Sequence, residues 1–246
     1  MTSIDLTAPV GQLVADRPAR ARVFERFDID YCCGGKTRLD EACANKGLDP
    51  QEVLRALEQA ESSAAVPDET DWRHVSLADL ISNILNTHHA YLKRGLPELA
   101  QLAAKTRQVH GASHPELAEV QEVFTELRAE LEGHMMKEER ILFPLIQGME
   151  SGAACEGFCG SVQNPIRVME YEHDSAASAL QRLRHLTGYY TPPADACNTY
   201  RALLSGLAEL EADLHQHIHK ENNILFPRAI ELEATLLHTA PVDRHE

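Results

Sequence analysis

The 246-residue chain is 43% hydrophobic and 25% charged, the balance of a folded globular protein. Its net charge of −15 argues against nucleic acid or an anionic membrane as a partner, because either calls for a basic patch. No run approaches the roughly 18 uninterrupted apolar residues of a membrane span, and aromatics at 5% beside plentiful Ala, Leu and Glu favour helix over sheet.

The first residues contain no basic stretch leading into an apolar one, so no signal peptide is expected. The chain reads as cytoplasmic, with its six cysteines mostly reduced and suited to redox or metal chemistry rather than a disulfide framework. The first cluster is Asp28-Ile-Asp-Tyr-Cys32-Cys33-Gly34-Gly35. Adjacent cysteines form no relaxed disulfide, and the glycines relieve crowding and permit unusual backbone angles. The pair reads either as a thiol site that traps iron or switches redox state, or as two small buried hydrophobes. Gly34-Gly-Lys-Thr37 imitates the end of a phosphate-binding loop, but Asp30 stands where that loop needs glycine and no strand precedes it. Thr37-Arg-Leu-Asp40 has a capping-box pattern, and Asp49-Pro50-Gln51-Glu52 starts a helix with proline in its first turn. Segment 61–70 is small, polar and broken by proline, which marks a linker. These signals divide the chain into a small helical domain at 1–65 and a larger one at 71–235.

Ser76-Leu-Ala-Asp79 is a second capping box. Behind it, Leu77, Leu80, Ile81, Ile84 and Leu85 follow the spacing of an apolar helix stripe. Four long helices are expected near 76–106, 115–148, 165–188 and 196–232, joined by breaks rich in Gly and Pro. That makes the class all-α, an antiparallel four-helix bundle behind a small N-terminal helical domain. Cys155 and Cys159 fall in the break at 148–165, where they read as a redox pair, a stray metal site or plain loop residues. Cys43 and Cys197 read as packing residues.

Two segments of the larger domain nearly repeat. His134-Met-Met-Lys-Glu-Glu-Arg-Ile-Leu-Phe-Pro144 and His217-Ile-His-Lys-Glu-Asn-Asn-Ile-Leu-Phe-Pro227 share His, Lys, Glu, Ile, Leu, Phe and Pro. Each copy has a histidine on the preceding expected helix, His89 and His173. Residues four apart share a helix face, with β-carbons about 5–6 Å apart. His134 and Glu138, His217 and Glu221, with His89 and His173, therefore converge six metal ligands at the bundle centre. His88, His215 and His219 lie one or two positions from a ligand and are expected to point elsewhere. His74, His110, His114, His185, His238 and His245 read as solvated.

Four imidazoles and two carboxylates suit zinc, copper or iron rather than calcium or magnesium, and they are too many for one closed zinc site. Two six-coordinate ions fit if both carboxylates bridge, an oxygen bridge is shared, and each ion keeps one open position. Glu130, Asp213 and Glu172 extend or adjoin the ligand faces. They read either as groups that orient imidazoles and pass protons, or as ordinary helix-surface charge.

The duplicated His-x3-Glu helices with Ile-Leu-Phe-Pro, behind Asp-Tyr-Cys-Cys-Gly-Gly, resemble the iron–sulfur cluster repair di-iron proteins, the repair-of-iron-centres family, over nearly the whole chain. The resemblance implies a hemerythrin-like bundle with two iron ions per chain in an oxygen-bridged centre, held by His89, His134, Glu138, His173, His217 and Glu221. It further implies Glu130 and Glu172 as inner carboxylates, Cys32 and Cys33 as the cysteine pair, a cytoplasmic homodimer, and damaged iron–sulfur proteins as partners. The implied function is repair of clusters damaged by nitric oxide or oxidants, through iron donation, nitric oxide removal or both. Two other readings stand beside it: a binder or sensor of diatomic ligands such as NO or O2, and a nitric oxide reductase. The N-terminal cysteines favour repair over a simple gas carrier.

Overall fold

The computed structural model describes residues 4–63, 70–152 and 161–239. Eight helices account for the regular structure of these residues. The N-terminal part holds α1 (Val10–Asp16), a 3-10 turn at Pro18–Arg20, α2 (Ala21–Arg26), α3 (Leu39–Lys46) and α4 (Pro50–Ser63). Four long helices follow: α5 (77–110), α6 (116–150), α7 (Gln163–Leu186) and α8 (198–239). They fall close to the expected positions, with α5 and α8 running several residues further than expected. No strand occurs among the described residues, and an isolated bridge joins Pro9 to Arg38. No described helix is long and apolar enough to cross a membrane.

Helix starts follow partly from the expected caps. Ser76 Oγ accepts from the Asp79 N–H at 3.0 Å, and Asp49 Oδ1 accepts from the Gln51 N–H at 2.9 Å. Thr37 does not cap α3, whose start lies at Arg38 without a side-chain bond; Asp40 instead pairs with Arg38. The bundle itself supplies two caps that the sequence did not disclose. Glu150, ending α6, accepts from the Leu77 and Ala78 N–H groups at 2.6 and 2.8 Å. Glu233, near the end of α8, accepts from the Val162 N–H and the Ser161 hydroxyl, both at 2.6 Å. Each carboxylate sits on the free N–H groups and positive dipole end of its neighbour. Each pairing sets a helix end against a helix start, so α5/α6 and α7/α8 are antiparallel.

The bundle interior is layered. One apolar cluster contains Leu80, Ile84, Phe143, Ile166 and Phe226, and a second contains Leu92, Leu131, Ala176, Leu214 and Ile218. The candidate ligands fall at the junction of the two: His89, Glu138, His173 and Glu221 in the gaps after Ile84, Met135, Met169 and Ile218, and His134 and His217 one residue before Met135 and Ile218. The second cluster continues into the N-terminal part through Val10, Phe24, Tyr31 and Leu57, so that part packs directly on the bundle. Of the expected linker, residues 64–69 lie outside the described residues, and α4 extends to Ser63.

Three of the long helices widen into a π turn at the same level: Leu85–His89, Glu138–Leu142 and Glu221–Leu225. Two have a cause in the repeat. Pro144 and Pro227 have no N–H for the carbonyls of Arg140 and Asn223, and the helix relaxes in the preceding turn. The turn at Leu85–His89 has no such proline, and nothing in the structure explains it.

Candidate metal centre

His89 sits in the π turn of α5, His134 and Glu138 on α6, His173 on α7, and His217 and Glu221 on α8. All six are buried, and Glu138 and Glu221 are 0% exposed. Glu221 turns one oxygen to each of two histidines, with Oε1 3.0 Å from His217 Nε2 and Oε2 3.1 Å from His173 Nε2. Glu138 Oε2 lies 3.2 Å from His89 Nε2 and 3.3 Å from His134 Nε2. Two donor sets result, His89, Glu138, His217 and Glu221 and His134, Glu138, His173 and Glu221, each with its donor atoms within 4.8 Å of one another. Both carboxylates belong to both sets.

Two ionised carboxylates in a dry layer need compensating charge. Burial and mutual repulsion push Glu138 up, but His134 and His89 outweigh them and hold it below the usual range. Glu221 is held well below that range, with burial opposed by His217 and His173. Burial pulls His134 down, yet Glu138 and Glu221 raise it to about 9. The compensation remains incomplete in hydrogen bonds: His89 Nε2, both Glu138 oxygens and Glu221 Oε2 are buried without a partner. All four point at the same interior, and all are electron-pair donors, so the residues fit a cationic group. Such groups are exceptional in folded proteins unless an ion or water completes them.

The far side of each imidazole is held differently. His89 Nδ1 donates to Glu139 at 2.8 Å, and Glu139 also pairs with Lys93. His134 Nδ1 donates to Glu172 at 3.0 Å, and Lys137 pairs with the other oxygen of that carboxylate. His173 Nδ1 donates to Asn222 Oδ1 at 2.9 Å. These bonds hold a proton on Nδ1 and turn Nε2 toward the centre, so that a metal displacing the Nε2 proton would meet the tautomer a ligand needs. His217 Nδ1 has no hydrogen-bond partner, and its ring stacks on His88 at 5.3 Å between centroids.

Glu172 thus touches a candidate ligand, whereas Glu130 is exposed and accepts from Ser175 at 3.1 Å. Both line a cavity of ≈ 10 Å³, room for about one water, that reaches His134, His173 and His217. Asp213, four residues before His217, instead accepts from His88 Nδ1 at 2.8 Å, while Lys220 donates to His88 Nε2 at 3.0 Å. His88 and His219 point away from the centre as expected, and both are buried, His88 in this pairing and His219 against the Tyr31 ring. Cys43 is buried as expected, but Cys197 is exposed at the start of α8, and Cys155 and Cys159 lie outside the described residues.

Cys32 and Cys33 are free thiols, the first buried and the second half-buried. Their loop is fastened to the centre's own π turn. Asn222 Nδ2 donates to the Cys32 carbonyl at 3.4 Å, and Asn223 Nδ2 donates to the same carbonyl at 3.0 Å. The approach is close enough that a Cβ on Gly35 would stand 2.1 Å from Asn223 Oδ1, and one on Gly11 2.3 Å. Gly35 serves this contact rather than a positive φ. Glu139, Asn222 and Asn223 went unnoticed in the sequence because an ideal α-helix turns them away from the ligands that they adjoin.

The hemerythrin HHE cation-binding domain family matches residues 80–229, and a domain of unknown function (DUF542) matches residues 6–61. The chain is 43% identical over 223 residues to the iron-sulfur cluster repair protein YtfE of Enterobacter sp. (strain 638), covering 90% of this chain and 96% of that one. It is 44% identical over 224 residues to the protein of that name in Escherichia coli O157:H7, with the same coverage, and 42% identical to that of Citrobacter koseri. The chain belongs to the iron-sulfur cluster repair proteins with a hemerythrin HHE domain. Of the bundle's four long helices, the matched hemerythrin region spans the whole paired layer of histidines and glutamates, and the DUF542 region carries the cysteine loop. The donor set at the bundle centre of this repair-family chain is compatible with an iron centre.

Proposed function

We propose that the bundle holds two iron ions bridged by Glu138 and Glu221, one completed by His89 and His217 and the other by His134 and His173. The carrying observation is that two four-donor sets share both buried carboxylates. Bound there, the iron pair supplies redox chemistry and positions for a small ligand such as nitric oxide or O2. Glu139, Glu172 and Asn222 orient their imidazoles, the apolar layers on either side exclude water, and Glu172, with Glu130 beside the small cavity, holds or moves a proton.

In this reading the chain repairs iron–sulfur clusters damaged by nitrosative or oxidative stress, donating iron to the damaged protein or removing nitric oxide from it. Segment 1–65 presents Cys32 and Cys33 and segment 71–235 holds the iron. The separate matches of the two segments support this division of labour, and a cytoplasmic homodimer is part of the same proposal. The test is recovery of a nitric oxide-damaged iron–sulfur enzyme. The intact protein should restore activity, and a Cys32→Ser, Cys33→Ser variant should keep its bundle iron yet fail. Full recovery with metal-stripped protein would contradict the proposal.

A further inference from the structure

A cavity of ≈ 330 Å³ lies where the cysteine loop meets α7 and α8. Asp30, Cys32 and Cys33 form one wall, and Asp174 and His215 belong to the others. Asp30, Cys32 and Cys33 offer one donor atom each, all within 4.8 Å of one another. The carboxylate is aimed by the backbone: the N–H groups of Cys32, Cys33 and Gly34 donate to it at 3.0, 2.9 and 2.9 Å. Cys32 Sγ stands 3.2 Å from Asp30 Oδ1, so a single proton separates a thiol from a carboxylate.

The cavity's charge is one-sided. Glu25, Asp28, Asp30, Asp174 and Glu211 line it against Lys46 and Arg184. Both cations are already engaged, Lys46 with Asp28 and Arg184 with Asp28 and Glu211. The field therefore draws positive ions toward the thiols. Two sulfurs and one oxygen suit soft or borderline cations, not calcium or magnesium.

We propose that Cys32, Cys33 and Asp30 form a second cation site, distinct from the bundle centre, that takes one thiophilic divalent ion and leaves its remaining positions open to the cavity. Binding displaces the two thiol protons to solvent and puts the cation where the Cys32 proton now lies. Without an ion, Cys33, burial and Asp30 hold the Cys32 thiol well above its usual range, so Cys32 waits as a neutral thiol. In this chain's own chemistry the ion is ferrous iron in transit. Two hydrogen bonds through Asn222 join the Cys32 carbonyl to His173, which seats the site beside the proposed iron pair. The transit role rests on the bundle being an iron centre; the cation site does not.

The probe is cobalt(II) added to reduced, anaerobic, full-length protein whose bundle is already iron-loaded. Cobalt on thiolates gives near-ultraviolet sulfur-to-metal charge transfer, which histidine and carboxylate ligands do not. One equivalent per chain should saturate that absorption. Cys33→Ser should abolish it with thermal stability unchanged, and Asp30→Asn, which removes the site's charged oxygen ligand, should weaken binding by at least the roughly tenfold that loss of an outer partner alone costs. A Glu138→Ala, Glu221→Ala variant should retain the absorption even after losing bundle iron, so failure of the bundle reading leaves this result standing. Absence of charge transfer at one equivalent, or its persistence in a Cys32→Ser, Cys33→Ser variant, would overturn the site and return the pair to packing alone.

Discussion

Replacing Asn222 by leucine keeps the side chain's size and removes both of its hydrogen bonds, to His173 Nδ1 at 2.9 Å and to the Cys32 carbonyl at 3.4 Å. The carbonyl keeps Asn223 at 3.0 Å, so the loss falls mainly on His173. A buried imidazole N–H without an acceptor costs about 1–3 kcal/mol. Outer partners of metal-bound histidines are worth roughly ten- to a hundredfold in metal affinity, which is about 1.4–2.8 kcal/mol. The two figures agree, and chelator competition on anaerobic protein should show the Leu variant releasing iron at a tenth or less of the wild-type chelator concentration. Asn222→Asp keeps an acceptor for His173 while losing the donor to Cys32, so it should retain iron and shift the metal spectrum through a more basic imidazole. If Asn222→Leu holds iron as tightly as the wild type, with an unaltered spectrum, the orienting role is wrong.

Three further outcomes follow from the packing and charges. Gly35→Ala places a methyl 2.1 Å from Asn223 Oδ1 and should loosen the N-terminal part by about 1–3 kcal/mol, seen as faster proteolysis ahead of α5. Glu150→Ala leaves the start of α5 without its two acceptors and should lower stability to urea by about 0.5–2 kcal/mol. In metal-stripped protein the His134 pKa stands at about 9, above its ordinary 6.5, because Glu138 and Glu221 outweigh burial. The protonated ring therefore stabilises the fold fully below pH 6.5 and ceases to as pH rises through about 9. Melting temperature of the stripped chain should fall across that window, and the iron-loaded chain should lack the decline.

The bundle and its six convergent side chains were legible because the repeat writes them twice, with matched upstream histidines, and because residues four apart must share a helix face. The groups behind the ligands were not. Glu139 and Asn222 reach His89 and His173 because a π turn begins at the preceding glutamate, and hydrophobic spacing carries no trace of that widening. Phe-Pro at 143–144 and 226–227 was its one visible sign, and it read simply as part of the repeat. His88 and His219 stay outside both donor sets, as their positions implied, but their burial was not legible, for a tertiary reason. Asp213, Lys220 and the Tyr31 ring that cover them come from distant positions in the chain. The caps from Glu150 and Glu233 likewise join residues over 70 apart, beyond the reach of local motifs.

Sharing of Glu138 and Glu221 between two ions is the central claim, and iron per chain with the magnetic state of the metal tests it most directly. Anaerobically purified protein should carry two irons per chain with coupled spins. Glu138→Ala, Glu221→Ala should lose most of that iron or leave uncoupled ions, while His215→Ala, outside both donor sets, should leave the signal intact. One iron per chain in the wild type, or undiminished and coupled iron in the double variant, would contradict the account.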